Sequence, residues 1–484
     1  VSLKVSAYFL GNLLKYLGLV MLVPGICSVI YQEDDLYVFL ISGVITSVSG
    51  LIMEFSVKSW SDIREVDRKT GFMIVALTWI FASIYGALPY LLYGVFTNPA
   101  DAFFESVSGF TTTGASVMTD VEIFPHGIMF WRSLTHWLGG MGIIVLAIAV
   151  LPRLAVGGMQ LMGLESSGPT TEKLTPKIAE TAKKLWGVYL LLTVLLIILL
   201  DIAGVPIYDA IIHAFGTIAT GGFSNHNLSI GYYNSPYVEG IITLFMFLSG
   251  INFTLHYFML RGKISNVYRN SELRFYIIVN VVLISVITLD LWNNIYPTIG
   301  ESLRFSSFQL LTAYTTAGFS SVDFDTWPTL SKFILVIVML MGSCAGSTSG
   351  AIKSIRILVL IKRGYREILK LIHPKRVIHL RLDGQVIDES AASSISSFVF
   401  LYLALFALSS CIVLGVEHVS IVTAISACAA TFGGVGPGLE QVGPMQNYAF
   451  LTSFTKVYLS FLMILGRLEL YAILVLITPS FWRK

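Results

Sequence analysis

Apolar stretches close to the ~20 residues needed to cross a bilayer recur along the whole chain, separated by polar connections. They predict spans at 5–30, 36–54, 71–94, 127–151, 185–204, 237–260, 273–292, 330–362, 395–415 and 447–478. The fold class expected is an all-α polytopic membrane protein with ten transmembrane helices. The eighth and tenth stretches are long and interrupted.

The connections after the third, fifth, seventh and ninth spans are unusual. Each holds an amphipathic stretch too short to cross, at 101–112, 207–219, 301–315 and 419–430. Each then runs into a Thr-x-Gly: Thr112-Thr113-Gly114, Thr220-Gly221-Gly222, Thr316-Ala317-Gly318 and Thr431-Phe432-Gly433. The glycines lie 108, 96 and 115 residues apart. The chain therefore reads as four repeats of helix, pore helix, filter loop and helix, arranged with pseudo-symmetry around one pore. Residues 1–70 form an N-terminal two-helix segment. Repeat 1 covers 71–152. Repeat 2, with its preceding cytoplasmic linker, covers 153–262. Repeat 3, with a gating loop and a basic linker, covers 263–394, and repeat 4 covers 395–484.

Composition agrees with a membrane protein. The 484 residues are 55% hydrophobic and 12% charged, where a soluble domain carries about 25% charge. Charge placement sets orientation. Lys58, Arg64, Arg68, Lys69, Arg153, Lys173, Lys177, Lys183 and Lys184 fall on connections that a cytoplasmic N-terminus would put inside. So do Arg261, Lys263, Arg269, Arg274 and the basic residues from Lys353 to Arg381. The outside ends carry Arg132, Arg304, Lys332 and Lys456. Both termini are thus expected in the cytoplasm. Cys27, Cys344, Cys411 and Cys428 show no metal or disulfide spacing and are expected as free thiols.

Irregular backbone survives at membrane depth only when buried in protein or lining a watery cavity. Four such loops suggest a ring whose carbonyls replace the hydration shell of a cation. Each short helix also points the negative end of its dipole at the loop. The candidate filter residues are Thr111, Thr112, Thr113 and Gly114; Ala219, Thr220, Gly221 and Gly222; Thr315, Thr316, Ala317 and Gly318; and Ala430, Thr431, Phe432 and Gly433.

The segments GFTTTGAS (109–116), IATGGFS (218–224), TTAGFS (315–320) and TFGGVGPG (431–438), with WLGGMGI (137–143) and GSCAGSTSGAIKSIR (342–356), resemble the Trk/Ktr/HKT superfamily of potassium transporters. The resemblance covers essentially the whole chain, and the two extra N-terminal spans look like the Trk branch. It implies potassium uptake across the bacterial inner membrane through a selective, gated, channel-like pore. The potassium ion is then the transported species, bound at the filter. A serine at the first filter glycine is associated in this superfamily with sodium passage, so Gly114 points to potassium. The resemblance further implies a homodimer with one pore per subunit, and cytosolic nucleotide-binding regulatory subunits of the TrkA type. Strict fourfold symmetry is broken by Pro437 and by the varied third motif residue.

The eighth span is interrupted by Gly342, Ser343, Cys344, Ala345, Gly346, Ser347, Thr348, Ser349 and Gly350, a poor helix at about 1 kcal/mol per glycine. The spacing of its glycines equally suits a helix-packing face. The resemblance favours a gating loop that plugs the pore from the cytoplasmic side. Arg467 lies inside the last apolar stretch, where a charge costs at least ~2.5 kcal/mol, so it should face the pore or find a partner. Glu469 is two positions on and off its helix face. The carbonyls of 342–350 would serve, with a structural ion pair to another span as the alternative.

His136, His213 and His256 are expected as buried, hydrogen-bonded histidines. GGVGPG (433–438) fails the G-x-G-x-x-G pattern at Leu439, and GSTSGAIKS (346–354) lacks Walker spacing, so no nucleotide site is expected on this chain. No catalytic triad or metal cluster emerges, and neither an enzyme nor a nucleic-acid partner is expected. Glu105, Asp120, Asp323 and Glu440 are candidates for focusing cations at the outer mouth, or are simply solvated. The basic segment 362–376 suits a regulator or anionic membrane lipid. The alternative function is a secondary transporter coupling potassium to protons or sodium.

Overall fold

The computed structural model describes residues 3–56, 68–142 and 178–483. The end of the expected fourth span (143–151), and Lys58, Arg64, Arg153, Lys173 and Lys177, lie outside the described residues.

Two N-terminal spans pack antiparallel as α1 (Leu3–Val20) and α3 (Leu36–Phe55), with α2 (Pro24–Tyr31) between them. Four glycines bring the backbones together. A Cβ on Gly11 would stand 2.6 Å from the Gly50 carbonyl oxygen, and one on Gly43 would stand 2.8 Å from the Gly18 carbonyl oxygen. Small residues are the usual means of close helix approach in lipid, where water provides no driving force. Lys15, half-buried within this pair, bonds Glu54 at 2.7 Å.

After α4 (Arg68–Gly86) and α5 (Leu88–Tyr93) comes the first short helix, α6 (Pro99–Phe110). Its start is dictated locally: Asn98 Oδ1 accepts from Ala100 N, Pro99 occupies the first turn and Asp101 follows. Its 12 residues span ~18 Å, well short of a bilayer core. The chain then turns back into α7 (His126–Gly140).

The same succession recurs three times. It runs α8 (Ile178–Ile202), short α9 (Ile207–Ala219) and α10 (Pro236–Ser249) with α11 (Phe253–Leu260). After α12 (Ile264–Arg269), it runs α13 (Ser271–Leu291), short α14 (Ile299–Tyr314) and α15 (Thr329–Met341), with α16 (Ser354–Ile372) beyond a loop. After a two-stranded hairpin, β1 (Arg381–Leu382) and β2 (Gln385–Val386), it runs α17 (Glu389–Glu417), short α18 (Ile421–Gly433) and α19 (Ser453–Arg467). Then α20 (Tyr471–Ile477) and α21 (Pro479–Trp482) end the chain. Thr298 and Ser420 cap α14 and α18 as Asn98 caps α6.

Among the described residues, six helices are long and apolar enough to cross a membrane, or up to eight if each bent pair is one span. The expected eighth and tenth spans are interrupted, and so is the sixth. The pair α10 and α11 bends by 99°, and α19 and α20 by 118°. The expected eighth span stops at Met341 after 13 helical residues and resumes only at Ser354. The returning helices stop at Gly140, Ser249, Met341 and Arg467. Gly139 abuts the Phe110 carbonyl and Gly466 the Phe432 carbonyl, contacts that leave no room for a Cβ.

Candidate functional site

The four short helices end in the same backbone turn. An N–H five residues on bonds back into the helix: Thr113 to Ser108 (2.9 Å), Gly221 to Gly216 (2.8 Å), Ala317 to Thr312 (2.8 Å) and Val435 to Ala430 (2.7 Å). This is a Schellman-type ending, with its left-handed residue just before the donor. That residue is Thr112 (φ 54°), Thr220 (55°), Thr316 (59°) and Gly434 (73°). Three of the four are β-branched, which costs roughly 1–3 kcal/mol each where surrounding structure imposes it. Two residues later the backbone is left-handed again, at Gly114, Gly222, Gly318 and Gly436.

The glycines interlock around a ring. A Cβ on Gly114 would collide with the Gly221 carbonyl oxygen, one on Gly222 with that of Ala317, and one on Gly318 with that of Val435. One on Gly436 would stand 2.7 Å from that of Thr113, which closes the circle. All four glycines line a single cavity of about 150 Å³, together with Ser116, Ser224, Ser320 and Tyr448.

The fourth loop departs from the sequence expectation by three residues. Ala430, Thr431, Phe432 and Gly433 belong to α18. Phe432 stacks on Tyr402 with ring centroids 4.0 Å apart, and Thr431 Oγ1 bonds the Ala427 carbonyl. The residues that match Thr111–Gly114 in backbone are Gly433, Gly434, Val435 and Gly436. The signal was available in FGGVG, where Gly434 and Gly436 are spaced like Thr112 and Gly114. The Thr431-x-Gly433 motif masked it. The spacing between the third and fourth glycines, Gly318 and Gly436, is accordingly 118 residues.

Behind each loop a side chain of the short helix ties the returning strand. Glu105 accepts from Ser116 Oγ (2.9 Å) and Val117 N (2.9 Å). One repeat on, His213 meets Ser224 Oγ at 2.9 Å, and Gln309 donates to Ser321 Oγ at 3.3 Å. In the fourth, Ser426 Oγ accepts from Leu439 N at 2.9 Å. Glu105 also accepts from Arg132 Nε at 2.7 Å, and Arg132 donates to the Ser224 carbonyl and lies 3.5 Å over the Phe223 ring. Fully buried, Glu105 is neither the outer-mouth focusing charge nor the solvated acid that the sequence offered; it braces the first loop against the second. Asp120 and Asp323 accept backbone N–H bonds two residues on. Hydroxyls of Ser420 and Thr423 hold the Glu440 carboxyl below the usual range.

Directly beneath the ring lies the loop 342–353. Gly350 N bonds Thr316 Oγ1 at 2.8 Å, Thr348 Oγ1 bonds the Ile218 carbonyl at 3.0 Å, and Gly350 abuts the Gly433 carbonyl. The loop thus touches the second, third and fourth quarters. Arg467 connects it to the first. Its guanidinium donates to the carbonyls of Thr348 (2.7 Å), Gly139 (2.6 Å) and Gly140 (3.0 Å). It sits where α19 ends rather than well inside a span, and the partial negative charge of the helix end favours a cation there. Glu469 pairs with Arg356 at 2.6 Å instead.

This arrangement can be compared with known proteins. A family model described as TrkH, cation transport protein, matches residues 36–484. The chain belongs to the TrkH family. It is 39% identical to the Trk system potassium uptake protein TrkH of Halomonas elongata over all of both chains. It is 40% identical to the protein of that name from Salmonella typhimurium, over 96% of each. The crystal structure of the potassium transporter TrkH from Vibrio parahaemolyticus superposes with a TM-score of 0.90 at 33% identity, covering both chains completely. In this TrkH-family chain the three buried histidines have partners. His136 Nδ1 meets the Gly109 carbonyl (2.7 Å) and His256 Nε2 the Leu248 carbonyl (2.8 Å), while His213 joins the second loop as above. All four cysteines are free.

Proposed function

We propose that this chain takes up potassium as the membrane subunit of a Trk system, passing the ion through one gated pore between its four repeats. The closed ring of glycines and carbonyls carries this reading. Carbonyls of Thr111–Gly114, Ala219–Gly222, Thr315–Gly318 and Gly433–Gly436 would replace the water shell of a potassium ion, the cargo. Interlocked glycines leave no space for side chains, so only backbone faces the axis. Four helix C-termini add negative potential below the ring. Glycine rather than serine at position 114 suits potassium over sodium.

The loop 342–350 is the plug of this pore, and Arg467 holds it closed while placing a positive charge under the filter. Opening requires the loop to leave Thr316, Ile218 and Arg467. Ten spans, counting each broken one once, would place both termini in the cytoplasm of a bacterial cell. The homodimer, and a TrkA-type nucleotide-binding ring on the basic cytoplasmic surface, belong to the same reading. The chemistry is ion transfer, not catalysis of a reaction.

Single-channel recording of the purified chain tests the pore. Discrete conductance that follows the potassium gradient is expected. Turnover tied to a proton or sodium gradient would replace the pore by a coupled carrier.

A further inference from the structure

The plug has a narrow neck on its cytoplasmic side. Lys353 N bonds the Met341 carbonyl at 2.8 Å and Ser354 N the Ser343 carbonyl at 2.9 Å, so the two ends of the loop run side by side. A carboxylate from another element joins them. Glu272, in the first turn of α13 and 4% exposed, accepts from Ala345 N at 2.7 Å and Ile355 N at 3.1 Å through the same oxygen, Oε1. Ala345 precedes the plug's tip and Ile355 follows it. Ile355 is in the first turn of α16, a turn that holds no acidic residue. Glu272 therefore supplies an acceptor oxygen for an N–H that the helix leaves unpaired.

The neck also bears on the cytoplasmic hairpin. Leu382 of β1 is buried in one small cluster with Ala345 and Ile355, flanked by Leu358 and Ile387. At the hairpin tip, Asp383 Oδ1 accepts from Ser271 N at 2.6 Å, one residue before Glu272. Lys362 Nζ donates to the Arg381 carbonyl at 2.8 Å, which ties the hairpin to α16. One exposed surface element thus touches the plug through Leu382 and touches the clamp through Asp383.

We propose that Glu272 is a positioning residue that clamps the plug's neck shut, and that the Arg381–Val386 hairpin is the cytoplasmic latch of that clamp. The inference rests on the reading of 342–350 as a plug. The neck cannot part while one oxygen bonds both its sides. Moving the hairpin withdraws Leu382 from the neck and Asp383 from the start of α13, and the clamp loosens. The latch reaches the pore only through the neck of the plug.

Cys344 sits in the neck and is 1% exposed, which makes it a reporter. The full chain, with Cys27, Cys411 and Cys428 replaced by alanine, is reconstituted in liposomes. Two rates are read: modification of Cys344 by a charged thiol reagent from the cytoplasmic face, and uptake of radiolabelled rubidium. Glu272→Ala should raise both by at least about ten-fold, because it removes both hydrogen bonds that join the sides of the neck. Glu272→Gln keeps a carbonyl oxygen for both N–H groups and should fall between. Asp383→Ala and Leu382→Ala should raise both rates from the hairpin, and they decide the matter if Glu272→Ala does not fold. Parent rates of Cys344 modification in the folded variants would overturn the clamp. Faster modification with unchanged uptake would keep the clamp and overturn the plug. Unchanged modification, with uptake raised by deleting 346–349, would keep the plug and overturn the clamp.

Discussion

Gly436 abuts Thr113 closely enough that a Cβ would stand 2.7 Å from the Thr113 carbonyl oxygen, so the last loop of the chain closes on the first. This contact sets the register of the fourth quarter. Gly436→Ser should narrow the difference between potassium and sodium reversal potentials, because a side chain at φ 98° strains the loop by about 1–3 kcal/mol. A parent-like reversal potential would return the filter to Thr431–Gly433.

Gly114→Ser tests the first quarter in the same way. The new Cβ meets the Gly221 carbonyl, so both the ring and its chemistry change. Sodium uptake should rise relative to potassium by about ten-fold, in line with a strain of 1–3 kcal/mol. Rubidium uptake in competition with sodium reads this directly.

Arg467→Ala removes three bonds that tie the loop 342–353 to the end of α7. Potassium flux through the isolated chain should increase. Arg467→Lys, which keeps the charge but not the forked geometry, should increase it less. Unchanged or lower flux in well-folded protein would remove Arg467 from the gate.

Arg132→Ala strands the Glu105 carboxylate, whose side chain is completely buried. Losing one member of a buried pair destabilises by about 3–5 kcal/mol. Thermal unfolding in detergent should show a large drop. Removing both partners together should be milder, since no lone charge remains.

Helices such as α3, α8 and α13 were legible because a continuous apolar run has one economical conformation in lipid, where every backbone group must bond internally. The short helices were legible for a related reason: each is amphipathic, too short to cross, and followed by a glycine-bearing loop. The breaks in the returning helices were legible only where glycine and serine crowd, at 342–350. At the end of α7 a Cβ on Gly140 would meet Ala219, and at the bend after Ser249 one on Gly250 would meet Thr315, contacts that local sequence does not encode.

The fourth loop illustrates the same limit. Thr431-x-Gly433 has the composition of the other motifs but lies inside α18, since composition does not specify where a helix stops. The stopping point follows from which N–H reaches back to Ala430, and from the space left by Thr113 across the ring. Likewise Glu105 reads as one more acid near an outer mouth until folding brings Arg132 beside it, 27 residues away.

The sequence by itself determined that this chain crosses a membrane repeatedly, that it carries four matched helical segments too short to cross, and that Arg467 had to face a pore or find a partner. Each follows from hydropathy, length or the cost of a bare charge in lipid. Only the tertiary structure decided which glycine faces which carbonyl, which loop lies beneath the ring, and which carbonyls Arg467 and Glu272 hold. Those choices are made between segments distant in the chain. They depend on contacts of a few ångströms, to which spacing and composition are blind.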